Sequence, residues 1–413
     1  MNHANTNKYP IDYLKKYHLF SSMLFLWILF IPLKNTFYQV SVICLILMFV
    51  YHLVVFKTYN SIFIPLLKHL RGLFVSFGVI LLSMLISSLV GIDTLNNLGD
   101  VLKFFYRYIA IIFIVLYFYS QHFFDKKFLI TIVCLSLSIQ ALDGMYQYFM
   151  HYDLLLNRGL ESGGLTGATF SRNIFGFMMA IYTSLLFYLL VNYQPNKHPI
   201  IQKSILFIFF LISLFVLLHS FSRASWVSFA VFLLLYCITY MRKNLFSKKN
   251  LFIFISVGLV IFVIFSTNPL LMNRLHELLQ GSDANRFTLW RHAIGFIKEH
   301  LWFGYGVNSS LELFKNLAAG RVHNMFLEIT LYLGLLGLFG YILLFAHIYK
   351  TIYSIRKFEY AIFVTSFLVL LQFDGSLVNS KIHLSFFIIY IVLIYTYLID
   401  RTLIDESCKI THE

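Results

Sequence analysis

NRFTLWRHAIGFIKEHLWFGYGVNSS (residues 285–310), followed shortly by VHNMFLEITLYLGLLGLFG (residues 322–340), decides how this chain is read. The first stretch is polar and arginine-bearing, and the second turns within a few residues into an apolar helix. On both sides, apolar runs follow one another almost without pause. The pair therefore marks the main interruption in a series of membrane crossings, and a polar stretch of this kind points to work done at a membrane face.

The composition agrees. With 59% hydrophobic and 12% charged residues and a mean hydropathy of +0.78, the chain departs far from a soluble globule. Crossing a hydrocarbon core takes about 20 helical residues. Runs of that order fall near 19–33, 38–56, 73–91, 103–120, 128–149, 173–193, 204–219, 224–241, 251–267, 324–349, 360–375 and 383–399. The expected fold is all-α, a polytopic integral membrane protein of about 12 spans, with residues 1–413 forming a single membrane domain. The first run follows Lys15 and Lys16, but Pro32-Leu33-Lys34-Asn35 offers no small-residue cleavage site, so it reads as a retained helix.

Basic residues set the orientation. Arg242-Lys243 and Lys248-Lys249 lie between two runs and, by the positive-inside rule, place that loop and both termini in the cytoplasm. The net charge of +14 is then mostly a topology signal, with no nucleic acid implied. On the opposite face arginines (Arg107, Arg158, Arg172, Arg223, Arg274, Arg286, Arg291, Arg321) outnumber lysines. A planar guanidinium binds phosphate oxygens in a bidentate fork, so that face is suited to an anion. Snorkelling to lipid headgroups accounts for some of these arginines.

Residues 268–322 form the longest outer segment, a cap loop within the membrane domain. Phe287, Leu289, Trp290, Ala293, Ile294, Phe296 and Ile297 recur at helical spacing, predicting an amphipathic helix along the surface. Gly304 and Gly306 break it, and residues 311–318 suit a further short helix. The Gly334, Gly337 and Gly340 series is read as close helix packing. No cysteine pair and no His/carboxylate cluster with metal-ligand spacing appears, so no metal or other cofactor is expected.

Several polar residues stand where apolar runs meet this face. Arg223 lies in a very short turn, HSFSRASWV, and calls for an anionic ligand or a carboxylate partner such as Asp374. His323 precedes a helix start, where the positive end of the macrodipole disfavours a charged imidazole, and is a candidate general base. Asn324 and Glu328 share one face of that helix, and Glu328 is read as the partner of an outer arginine. Arg107, Asp143 and Asp374 fall at the same level and suggest a cavity open to the outer leaflet.

On these residues the chain resembles the O-antigen ligase family, within a wider group that also holds O-antigen polymerases and O-linked oligosaccharyltransferases. Ser222-Arg223-Ala224 is similar to that family's S-R-A element, and Arg286 with Trp290 to its R-x3-W element. His323-Asn324 with Leu327-Glu328 and Gly334 is similar to its H-N-x-x-L-E element. The resemblance implies a bacterial inner-membrane glycosyltransferase with its active site facing the periplasm. It implies transfer of a glycan from an undecaprenyl-pyrophosphate carrier to a sugar hydroxyl of lipid A–core. It makes Arg223 and Arg286 the pyrophosphate-binding pair and His323 the base; Arg291, Arg321 and Asn324 are secondary binding candidates and Glu328 a supporting residue. Polymerase and oligosaccharyltransferase remain open alternatives, as does a lipid-glycan transporter, which calls for an internal symmetry that the sequence lacks.

Overall fold

The computed structural model describes residues 10–58, 62–194, 199–241, 248–281, 286–307, 309–315 and 321–410. Among them the regular structure is helical, with only two isolated β-bridges, Tyr152 with Gly159 and Glu161 with Gly164. The chain opens with α1 (Pro10–Leu29), α2 (Asn35–Phe56), a short α3 (Ile64–His69) and α4 (Arg71–Val90). Next, α5 (Thr94–Phe104) runs through a π-helical turn into α6 (Ala110–Ser120). The helices α7 (Lys126–Met150), α8 (Arg172–Asn192), α9 (Pro199–His219), α10 (Arg223–Tyr236) and α11 (Lys248–Thr267) follow. The segment before α15 (Met325–Ile355) holds α12 (Pro269–Leu279), α13 (Arg286–Glu299) and α14 (Ser309–Leu313). Two last helices, α16 (Phe358–Leu371) and α17 (Lys381–Ile410), complete the bundle.

Each of the twelve apolar runs falls on a helix, and among the described residues nine are long and apolar enough to cross a membrane. The chain is an all-α polytopic membrane protein. Three runs fall outside those nine. The apolar part of α1, His18–Leu29, stops short of Pro32, which restricts the residue before it and carries no N–H for a continued helix. The 14 residues of α16 make a rod of about 21 Å, less than a hydrocarbon core. The run at 251–267 turns by 107° between Val257–Thr267 and Pro269–Leu279. Asn268 causes the turn to be sharp: its side chain caps Leu270 N at 3.1 Å and Leu271 N at 3.3 Å, and Pro269 sits at the first helical position. Arg242 and Lys243, which carry the orientation, lie outside the described residues.

The bundle packs through small residues, as expected where lipid leaves no hydrophobic drive between helices. Along α4, Gly72, Ser76, Ser83 and Ser87 are spaced to share a face, and α4 packs against α15. A Cβ on Gly72 would fall 2.1 Å from the His347 ring, and one on Gly340 2.9 Å from Ile80. Gly334 behaves otherwise than the expected packing glycine. Its φ of 67° breaks α15, and a Cβ there would lie 2.2 Å from the Trp302 backbone. The break frees backbone groups that residues 301–306 then satisfy. Tyr305 N donates to Leu331 O at 2.9 Å, Gly306 N to Tyr332 O at 3.0 Å, and Leu335 N to Leu301 O at 2.9 Å.

The predicted amphipathic helix is α13. It buries Leu289, Ala293 and Ile297, one per turn, and packs against α15, while Phe287 and Ile294 face outward. The short helix expected over 311–318 is instead Ser309–Leu313; residues 316–320 lie outside the described ones. The preceding α12 was not anticipated from the sequence. Of these pieces, α13 packs against α15 and α12 against α10 and α11.

Candidate functional site

Arg223 stands where α9 turns into α10, and the sequence folds tightly there for identifiable reasons. Ser220 Oγ donates to Leu217 O at 2.6 Å, Trp226 Nε1 donates to the same carbonyl at 3.1 Å, and the Ser222 and Ser225 hydroxyls lie 2.8 Å apart. Phe221 takes a φ of 55°, sparsely populated for a large side chain. Gly176 lets α8 close on this turn, since a Cβ there would come 2.6 Å from Ser222 Cβ. The result aims Arg223, only 14% exposed in its side chain, from the first position of α10. Its ion-pair partner is Glu277 Oε2 at 3.7 Å, not the expected Asp374.

Asp374 belongs to His323. The imidazole Nδ1 and the carboxylate Oδ1 are 3.0 Å apart. His323 takes a φ of 54° immediately before α15, a strained position for a non-glycine residue. Asn324 fixes it from the other side, accepting Leu327 N at 3.1 Å as the N-cap of α15 and donating to Gln372 O at 3.3 Å. Burial opposes ionisation of Asp374, yet the His323 hydrogen bond and the nearby His323, His383 and Arg286 charges hold its carboxyl below the usual carboxylate range. An ionised Asp374 keeps the proton of His323 on Nδ1 and leaves Nε2 as the acceptor.

Arg223, Arg286 and His323 line one cavity of about 180 Å³, together with Arg172, Arg274 and Leu289. Thus α8, α10, α12, α13 and the start of α15 each contribute to it. Arg172 and Arg274, noted only as arginines of this face, belong to the cavity. The legible signal for Arg172 was its position directly after the cap residue Ser171, a cation placed against the positive end of α8.

The remaining candidates fall elsewhere. Arg291 and Arg321 are exposed and do not line the cavity, and Asn324 is engaged in capping α15. Glu328 is buried and accepts the Tyr332 hydroxyl at 3.1 Å, and the charge of Arg321, an outer arginine, acts on it without a direct ion pair among the described residues. Arg158 lies over the Phe170 ring at 3.6 Å and donates to Ala168 O. Asp143 Oδ1 accepts the backbone N–H of Leu154 at 2.8 Å, so its task is to hold the 151–171 loop. Arg107 is buried beside Tyr106 in the π-helical turn. Of the three groups expected at one level, only Asp374 reaches the site.

A helical membrane bundle that gathers four guanidiniums and a histidine–aspartate pair around one cavity defines a membrane protein equipped to handle an anionic substrate. Residues 208–342 match the family model described as O-antigen ligase, and over that stretch the chain is similar to the family. The matched stretch contains Arg223, Arg274, Arg286, His323 and the Gly334 break. The coarse activity that goes with it is that of a membrane glycosyltransferase of the O-antigen ligase or polymerase type. No curated protein matches the chain.

Proposed function

We propose that the protein is a ligase, moving O-antigen glycan from undecaprenyl pyrophosphate to a sugar hydroxyl of lipid A–core on the periplasmic side of the bacterial inner membrane. The observation that carries this reading is the convergence of Arg223, Arg286 and His323, from three separate parts of the chain, on one cavity. In the proposed reaction the two arginines bind the pyrophosphate. The acceptor hydroxyl donates to His323 Nε2 and attacks the anomeric carbon from the face opposite the leaving group. The new C–O bond forms as the bond to pyrophosphate breaks, the hydroxyl proton passes to His323, and the configuration inverts. Asp374 orients the ring and stabilises the imidazolium. Charge developing on the departing pyrophosphate is met by fixed guanidiniums, so the reaction proceeds without a metal ion.

Loss of a general base typically lowers rate by about 10²–10⁴. His323→Ala is therefore expected to insert and bind donor normally while almost abolishing transfer. Alanine at His276 and His292, which are exposed, and at His300, which packs on Tyr305, serves as the control. Normal transfer by His323→Ala, or donor binding lost in parallel with activity, refutes the assignment. In a deletion strain, accumulation of long carrier-linked polymer supports the ligase reading; accumulation of single repeat units identifies a polymerase.

A further inference from the structure

The cavity is over-supplied with positive charge. Arg172, Arg223, Arg274 and Arg286 all line it. Arg172 and Arg223 are also the first residues of α8 and α10, where helix dipoles add positive potential. Among the described residues Glu277 ion-pairs with two of the lining arginines, with Oε2 at 2.7 Å from Arg274 Nη1 and 3.7 Å from Arg223 Nη1. Glu161 approaches from the 151–171 loop, where it takes the Arg172 backbone N–H at 2.6 Å. Among the described residues, the buried Nη1 atoms of Arg172 and Arg223 have no hydrogen-bond acceptor. Buried guanidinium donors are normally satisfied, so these two mark where acceptor oxygens belong.

Glu277 is unlike the arginines it holds. Its side chain is 42% exposed, whereas those of Arg223 and Arg274 are 14% and 24% exposed. It reaches in from α12, beyond the Asn268-Pro269 bend, and can swing toward solvent without disturbing the turn that fixes Arg223. An exposed carboxylate at 3.7 Å is a weak tether. A diphosphate carries more charge and more acceptor oxygens, and so outcompetes it.

Building on the pyrophosphate reading above, we propose that Glu277 is the cavity's resident counter-ion, exchanged for the diphosphate of the donor, and that Arg172 and Arg274 are further diphosphate-binding residues. Glu277 keeps Arg223 and Arg274 from repelling one another while the site is empty. It also sets a threshold that a monophosphate, with fewer oxygens and less charge, passes poorly.

The test is direct binding of farnesyl diphosphate and farnesyl monophosphate to the purified full-length protein in detergent, at one fixed salt concentration. Glu277→Gln keeps the shape and removes the charge. It is expected to bind the diphosphate about tenfold tighter than wild type, to discriminate less against the monophosphate, and to melt at a lower temperature when empty, with the difference closing at saturating diphosphate. Arg172→Gln and Arg274→Gln are each expected to weaken diphosphate binding by about tenfold. Unchanged or weaker binding by Glu277→Gln, with wild type binding normally, overturns the counter-ion role and makes Glu277 an aligner of Arg223 and Arg274. Failure of wild type to bind either probe defeats the parent pyrophosphate reading, and this inference with it.

Discussion

His323 Nδ1 and Asp374 Oδ1 lie 3.0 Å apart across 51 positions of sequence, one just before α15 and the other just after α16. The contact ties a strained backbone position to a carboxylate held ionised by its surroundings. It therefore sets which ring nitrogen of His323 is left to accept a proton.

Asp374→Asn is expected to lower turnover by about 10²–10⁴ with little change in donor affinity, because the protonated Nδ1 is no longer held and the imidazolium loses its counter-charge. Combined with His323→Ala it should add little further loss, since the two act as a unit. Single-turnover assays at matched protein amounts decide it; wild-type turnover in Asp374→Asn refutes the pairing's role.

The same carboxylate predicts a pH dependence. Its folded pKa is depressed below the ordinary value of 3.8, so its contribution to stability is fully present above that value and is lost only as pH falls through the lower, folded one. The carboxylate should therefore still stabilise wild type relative to Asp374→Asn at about pH 4, measured as a difference in melting temperature. A difference already lost at that pH contradicts the depressed value.

Arg223→Lys and Arg286→Lys keep the charge but not the fork. Each is expected to lose most donor binding and at least about tenfold in transfer, as bidentate phosphate recognition fails. Near-normal transfer by both variants, measured on carrier-linked substrate, reduces these residues to packing or topology elements.

If guanidiniums perform the electrostatic work, purified protein transfers glycan in excess chelator. Activity lost with EDTA and restored by Mg²⁺ or Mn²⁺ overturns the metal-independent mechanism.

Gly334→Ala forces a side chain into a left-handed position and into the Trp302 backbone. It is expected to cost at least about 2 kcal/mol, read as lower expression and melting temperature. Gly295→Ala, in α13 with open space around the new methyl, is expected to be neutral or stabilising by up to about 1 kcal/mol. Equal behaviour of the two variants would deny the backbone role given to Gly334.

Much of the fold was legible because apolar length is a strong signal. Every long run became a helix, and the stripe through Leu289, Ala293 and Ile297 located α13. The misses share one cause: they depend on how the chain turns between helices. Asn268-Pro269 is a helix start in the sequence, a cap followed by proline, but it was masked by apolar residues on both sides, and α12 with Arg274 and Glu277 went with it. Arg223, Arg286 and His323 stand in recognisable local motifs and are legible from the sequence alone. Arg172 was seen but not placed, and Asp374 was offered to the wrong partner, because a loop's path over 372–380 is not written in hydrophobic periodicity. Gly334 was read as a packing residue because spacing alone cannot distinguish a contact glycine from a break.

That break bears on assembly. Inside lipid, an unsatisfied backbone carbonyl costs several kcal/mol; Leu331 O is met by Tyr305 N, and Tyr332 O by Gly306 N together with the Ser87 hydroxyl. The span is thus completed by a segment made before it in the chain. A protein whose cap has failed to seat retains its arginines but not the register of the helix turn that follows His323. On the proposed reading, transfer is in this way made conditional on a seated cap.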